Sequence, residues 1–454
     1  MSDLFDFLKY CLGAKSDMNK VIAGIDWKML YSFAFKQALL GLCFDGIERL
    51  GKEYPEELKL NPIGRELLMI WMAKAQQIRR QNMKVNAVAD KLFSMLREDG
   101  FRCCILKGQG NALMYPNPYS RTPGDIDVWV NASREQITEY AKKHFELGDD
   151  IRYHHLETSL DGVPVELHFF PGIMNNPIYN ARLHKWFKRN ADLQCSNVVS
   201  LPDGIGEIAI PTTAFNVVYQ LTHLYHHFFD EGIGMRQIID YFLVVNDFSK
   251  NVFLNNDLSN HPVNFSNHPV PLSKEGSTFS PSPSSSGSED VTAPSRCSEP
   301  LRSKDGGASK PSPNCAGWDR LSIEGDNSVG STSVTSSAST ALVVVQRELK
   351  YLGLWKFAGA VMYVLHEALG LAEEKMIVPM DEKRGKLLLT EILNGGNFGK
   401  HFTKYAGFTH QSMGKKYFLK IWRNMHFVRY YPAEALCEPL FRTWHFFWRM
   451  KNKK

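Results

Sequence analysis

The sequence of 454 residues has eight cysteines and no CxxC pair among them, so neither a zinc framework nor a disulfide framework is visible. It also lacks an apolar run long enough to span a bilayer; the longest, near Phe357–Leu371, is interrupted by His366 and Glu367. No signal-peptide pattern opens the chain, and a reducing cytoplasm is the expected compartment. Strong charge of one sign is missing too: the net +5 does not mark a general nucleic-acid binder. Two regions are locally poor. Ser249–Thr340 holds only four aromatics in 92 residues, and His401–Lys454 holds two acids against eleven Lys and Arg. The first lacks the means to bury a core; the second makes the C-terminus basic.

What remains is rich in core-forming residues. The chain is 44% hydrophobic and 12% aromatic, enough for two or three packed domains. Residues 1–98 read as a helical N-terminal domain. Glu66–Leu96 carries Leu67, Ile70, Trp71, Ala75 and Ile78 at helical spacing, without proline, up to Asp99-Gly100. Trp27–Leu50 is a second helix candidate. Residues 99–200 change texture. The apolar run Cys103–Leu106 predicts a strand, and Lys107-Gly108-Gln109-Gly110 a turn. A short helix is expected at Asn111–Tyr115, a strand at Asp125–Val130 and a helix capped by Ser133 and running to Phe145. Asp161-Gly162 predicts a tight hairpin between strands Tyr153–Leu160 and Val163–Phe169. Residues 201–248 and 341–454 read as two parts of a helical C-terminal domain. Between them, 249–340 is expected to be a disordered Ser/Pro-rich insertion, with SNHPV occurring at both 259–263 and 266–270. The fold class is therefore α+β: a small mixed sheet flanked by helices.

Within this frame Asp125 and Asp127 are out of place, because Asp is disfavoured in strands. Side chains alternate along a strand, so Asp125, Asp127 and Trp129 share one face and Ile126, Val128 and Val130 the other. Two adjacent carboxylates repel unless a cation joins them, and carboxylate oxygens suit Mg²⁺, or Mn²⁺. In Val163–Leu167 the acid Glu166 points away from its apolar neighbours. If that strand lies beside Asp125–Val130, three acids converge. Glu166 then either ligates the metal or takes a proton. Lys107, Gly108, Gln109 and Gly110 form a turn able to approach a phosphate, and Arg121 could hold a phosphate or pair with a carboxylate.

These segments resemble the nucleotidyltransferase superfamily with a polymerase-β-like palm. Ile105-Leu106-Lys107-Gly108-Gln109 matches its strand and turn, Asp125-Ile126-Asp127-Val128 its acidic strand and Val165-Glu166-Leu167 its third acid. More narrowly, LKGQGNALMYPNPYSRTPGDIDVWV and VELHF, with GIGMRQIIDYF, GNFGKHF and PAEALCEPLFR further on, look like a bacterial family of uncharacterised nucleotidyltransferases. Gln109 stands where the superfamily usually has Gly or Ser. The resemblance implies transfer of a nucleotidyl group from ATP or another NTP to an acceptor hydroxyl, with pyrophosphate leaving. Asp125, Asp127 and Glu166 would be the metal-binding and catalytic residues. Lys107, Gly108, Gln109, Gly110 and Arg121 would bind the nucleotide.

Other groups remain open. His154, His155 and His168 gather near Glu166, but His154 and His155 are expected on opposite strand faces, which argues against a shared zinc. On a helix from Thr213 to Asp230, the residues Asn216, Gln220, His223, His227 and Asp230 form a polar stripe. It is either a solvated face or a cleft wall. On the next helix Arg236 and Asp240 are an i,i+4 pair, read either as a surface ion pair or as a phosphate clamp. His168, His223, His227 and Arg236 are therefore candidate cleft-lining residues. The C-terminal Trp444–Arg449 with Lys451, Lys453 and Lys454 could meet RNA or an anionic membrane, or pack its aromatics on the body. The alternatives to an enzyme are an inert nucleotide-binding scaffold and an adaptor working through this basic end.

Overall fold

Helices Ser2–Cys11 (α1), Asn19–Gly24 (α2), Trp27–Lys36 (α3), Leu40–Glu53 (α4), Pro55–Leu60 (α5) and Arg65–Glu98 (α6) precede the first strand in the computed structural model. It describes residues 2–257, 336–401 and 413–452. The expected helix over Trp27–Leu50 is two helices, because Ala38 adopts φ 58° and breaks it. Asp26 caps α3 by accepting from the amides of Lys28 and Met29.

The sheet follows: Cys103–Leu106 (β1), helix Gly108–Ala112 (α7), Ile126–Val130 (β2), helix Arg134–His144 (α8), Leu147–Ile151 (β3), His155–Leu160 (β4) and Val163–His168 (β5). Its order is β1-β2-β5-β4-β3. β2 and β5 run parallel, and the other pairs are antiparallel. Ser133 caps α8 in a capping box with Gln136. The β4–β5 hairpin turns at Asp161 and Gly162, φ 51° and 73°, as a two-residue turn with both centres left-handed requires. α7 begins at Gly108 rather than Asn111, and β3 was not anticipated in the sequence.

Alternation divides the sheet between two cores. Ile105, Ile126, Val128, Val130, Val165 and Leu167 pack with Val88, Leu92 and Phe93 of α6 and Ile137 of α8. Cys104, Leu106 and Trp129 face the larger helical core. Burying such side chains stabilises each face by roughly 25 cal/mol per Å² of apolar area. Asp127 and Trp129 share that second face, and so do Glu166 and His168.

Behind it lie Pro177–Ser196 (α9), a small ribbon of Val198–Ser200 (β6) and Glu207–Ala209 (β7), then Thr213–Asp230 (α10) and Met235–Asp257 (α11). The chain returns as Ser336–Tyr351 (α12), Trp355–Leu369 (α13), Glu382–Gly395 (α14), Met413–Met425 (α15), Pro432–Ala435 (α16) and Glu438–Asn452 (α17). Residues as distant as Leu8, Phe228, Phe357 and Tyr431 belong to the same core. The helical flanks thus hold the sheet from one side together.

Most of the expected insertion, residues 258–335, lies outside the described residues. Its edges need correction: α11 continues to Asp257 and α12 starts at Ser336. Ser249 is buried and its hydroxyl donates to the Lys375 carbonyl, 3.1 Å away, so packing extends past the point where composition turns polar. At the C-terminus Trp444 and Trp448 stand edge-on to Tyr153, whereas Phe446 and Phe447 are exposed; Lys453 and Lys454 lie outside the described residues. Among the described residues no helix is long and apolar enough to cross a membrane.

Candidate active site

The parallel pairing of β2 with β5 sets Asp127 directly opposite Glu166, and Trp129 opposite His168. Because both strands alternate in phase, Asp127, Glu166 and His168 meet on one face. One oxygen each from Asp127 and Glu166 and a nitrogen of His168 lie within 4.8 Å of one another. Asp125, just before β2, is exposed at the mouth of a cleft whose wall also includes Asp127, Lys107, Arg121, His223, Arg236 and Phe398. This cleft encloses about 520 Å³, its open mouth included. Glu166 is not part of its wall.

Lys107, just after β1, has φ 50° and ψ −118°, a backbone conformation that L-residues avoid and that persists where the surroundings impose it. The result is that Nζ sits 3.0 Å from Asp127 Oδ1 and 3.3 Å from His223 Nε2. His168 Nε2 reaches the same Oδ1 at 2.9 Å and Glu166 Oε2 at 3.1 Å. Burial opposes the charge on Asp127, but Lys107 and His168 overcome it and hold the carboxyl well below the ordinary carboxylate range. Burial would likewise lower the His168 imidazole; its bonds to Asp127 and Glu166 instead raise it to about 9. Asp125 goes the other way, up to about 6, first because Asp127 repels its charge and then because the surrounding cleft walls desolvate it, even though its outer side is exposed. It forms no ion pair among the described residues.

The remaining expected nucleotide contacts are distributed differently. The Gln109 side chain is buried and donates to Asn86 of α6. A Cβ at Gly110 would come within 3.0 Å of Ile210, so this glycine is positioned for close packing. Gly108 borders the cleft. α7 spans five residues, too few for a sizeable helix dipole. Arg121 is 5% exposed and forks onto Asp240 of α11, at 2.9 and 2.8 Å. Tyr115 donates to the same carboxylate at 2.8 Å. Arg236 is therefore not in a surface pair with Asp240. It is buried, its Nη1 donates to the Thr122 carbonyl at 2.9 Å, its guanidinium lies 5.6 Å from the Phe398 ring centre and its Nε has no hydrogen-bond partner.

The stripe on α10 is not a solvated face, and only part of it is cleft wall: Gln220 and His223 border the cleft, Asn216 is buried, and neither His227 nor His168 belongs to the wall. Gln220 and Asn111 exchange amide hydrogen bonds at 3.0 and 2.7 Å, and Gln220 also donates to Asn216. His223 meets Lys107, and the His227 ring lies tilted against Phe398, 5.3 Å between ring centres. Burial pushes His223 well down and His227 to about 3, so both are neutral bases at neutral pH. Asp230 turns instead to Lys420 and Arg442. Asn111, Gln237 and Phe398 join the cleft without having been singled out in the sequence, and Asp240 joins it as the partner of Arg121 rather than of Arg236. Their only sequence signal was proximity to GNFG and to the Arg236–Asp240 spacing.

A small mixed sheet carrying acids on adjacent strands, beneath a cleft bordered by Lys and Arg, is the arrangement of a nucleotidyltransferase palm. The chain belongs to the family of uncharacterised nucleotidyltransferases, which residues 23–259 match, and membership supports nucleotidyltransferase activity in general. No curated protein matches it. Among solved structures it is similar to an antigenic nucleotidyltransferase-like protein from Paracoccidioides brasiliensis. That likeness has 17% identity, covers 36% of this chain and 75% of that one, and has a TM-score of 0.25.

Proposed function

We propose that the protein moves an NMP group from an NTP to an acceptor hydroxyl. The observation that carries this reading is the in-register placement of Asp127 beside Glu166, with Asp125 at the cleft mouth. The carboxylate oxygens suit a hard divalent ion: Asp127 and Glu166 lie close together beside His168, and Asp125, outside that close group at the cleft mouth, forms no ion pair among the described residues. Asp125 and Asp127, completed by Glu166, would hold Mg²⁺. When bound, it would neutralise phosphate charge and stabilise the attacking and leaving oxygens.

The chain's own residues supply the rest. Arg236, with its unpartnered Nε, and Lys107 bind the phosphates. Arg121 acts through Asp240 to hold the β2 approach in place. The acceptor oxygen forms a bond to the α-phosphorus as the bond to the β-phosphate bridging oxygen breaks. Pyrophosphate leaves, and the hydroxyl proton passes to Glu166 if that residue acts as base instead of serving as the third metal ligand. A non-catalytic nucleotide-binding scaffold is the second reading; it is favoured by Asp127 Oδ1 already accepting from both Lys107 and His168.

Calorimetry with Mg²⁺ and a non-hydrolysable ATP analogue, followed by other NTPs, tests the site. Binding is expected for the wild type and lost in Asp125→Ala/Asp127→Ala; equal binding by both removes the site. Labelled NTPs incubated with the protein and cell extract separate the two readings, since a scaffold yields no labelled acceptor.

A further inference from the structure

Three histidines beside the acidic floor have no role in the transfer. His155 on β4 pairs in register with His168 on β5, 5.0 Å between ring centres. His154 lies just ahead of β4 rather than within it, so strand alternation does not turn it away from His155. The two rings are 4.3 Å apart, and His154 is 5.6 Å from His168. One nitrogen from each of the three lies within 4.8 Å of the others. This overturns the expectation that His154 and His155 face apart.

We propose that His154, His155 and His168 form a second cation site, specific for a transition metal ion such as Zn²⁺ and separate in chemistry from the carboxylate site. His155 is 2% exposed, and neither of its ring nitrogens makes a hydrogen bond. Glu166 Oε2 is 3.2 Å from its Nδ1 and Glu157 Oε1 is 3.6 Å from its Nε2, both poorly aligned. His154 Nδ1 is also buried without a partner. Leaving several buried nitrogens unpaired in one place costs stability unless something binds them. Imidazole nitrogen favours Zn²⁺, Ni²⁺ or Cu²⁺ over Mg²⁺, and a neighbouring carboxylate is the usual fourth ligand or orienting partner. Glu157 and Glu166 are placed for either part. An ion has a way in, because His154 borders an open polar cleft of about 790 Å³, its mouth included, lined by both acids (Asp230, Glu231) and cations (Arg152, Lys420). His168 belongs to both groups: its Nε2 is bonded to Asp127 and Glu166 and its Nδ1 lies 3.3 Å from the Phe170 carbonyl, so an ion entering the histidine site must displace the proton of this imidazolium, and filling the site would also bear on the catalytic floor.

The test uses full-length, tag-free protein dialysed after growth with zinc, with metal content measured by mass spectrometry. About one Zn²⁺ per chain is expected in the wild type and in Asp125→Ala, and none in His154→Ala or His155→Ala. A second measurement needs no variant: Co²⁺ added to stripped wild-type protein should give visible bands of tetrahedral coordination that Zn²⁺ removes and excess Mg²⁺ does not. Absence of both retained metal and Co²⁺ bands overturns the proposal. Metal lost with Asp125→Ala but kept by the histidine variants also overturns it. Neither result depends on nucleotide binding, so failure here and failure of the nucleotidyltransferase reading are distinguishable.

Discussion

Two groups of charged side chains border the same cleft and are built on opposite plans. In the first, Arg121, Asp240 and Tyr115 close on one another: both Asp240 oxygens accept, and the guanidinium is forked across them. In the second, the carboxylates of Asp125, Asp127 and Glu166 face two cations, Lys107 and the His168 imidazolium. The first is neutral within itself and fixes α11 against the segment leading into β2. The second has one acid more than its own cations, facing the Arg236 guanidinium across the cleft, and among the described residues Asp125 forms no ion pair. A balanced buried pair serves as scaffold. An unbalanced one is the kind of place where an added cation gains most.

The comparison breaks most visibly at Asp240. Asp240→Ala leaves Arg121 charged, 5% exposed and unpaired, and strands the Tyr115 hydroxyl. Removing one partner of a buried pair costs about 3–5 kcal/mol, to be read from urea unfolding. The double replacement Arg121→Met/Asp240→Leu should recover most of that loss. If Asp240→Ala costs no more than an exposed pair, under about 1 kcal/mol, the scaffold reading of this group is wrong.

A third buried acid sharpens the contrast because it has no ion-pair partner among the described residues. Glu434 is 1% exposed and accepts from the amides of Asn175 and Asn176. Burial raises its carboxyl from 4.5 to about 7, against the pull of those amides and with Glu438 adding to the rise. A raised acid pKa means that the folded state keeps its proton longer than the unfolded chain does. Stability from this group is therefore full below about 4.5 and is lost as the pH climbs to about 7. Glu434→Gln should cost about 1 kcal/mol at pH 4.5, since an amide cannot accept from both backbone donors through two oxygens. The difference from wild type should shrink or reverse by pH 7.5. Urea midpoints at several pH values measure it, and a pH-independent difference would show that Glu434 titrates normally.

Local rules made much of this readable in advance. Alternation alone put Asp127 and Trp129 on one face and Val128 and Val130 on the other, because a strand permits nothing else. Asp161-Gly162 announced its turn because few other pairs tolerate two left-handed centres. The parallel β2–β5 pairing is non-local: it skips over β3 and β4 and depends on how the whole sheet assembles. Arg121 finds Asp240 at a distance of 119 residues, and no spacing rule reaches that far. The stripe on α10 showed a polar face but not what would cover it. His154 was misplaced because the strand begins at His155, two residues later than the expected Tyr153, so His154 lies outside it and strand alternation does not govern its direction. The edges of the insertion were missed because composition says where a core cannot form alone, not where a helix already docked on one continues past it.

The smallest effect tests the charge imbalance itself. Asp125→Asn removes one of the three acids while keeping the side chain's size, so in chelator it should relieve repulsion toward Asp127. The expected gain in unfolding free energy is under about 1 kcal/mol, the scale of solvent-exposed charge interactions. Nucleotide binding with Mg²⁺ should fall in the same variant. Stability gained with function lost is the signature of a residue kept for chemistry rather than packing. A scaffold residue such as Asp240 should lose on both counts. If Asp125→Asn instead lowers the urea midpoint, Asp125 is part of the supporting structure, and the division of the cleft into a balanced and an unbalanced half fails where it matters most.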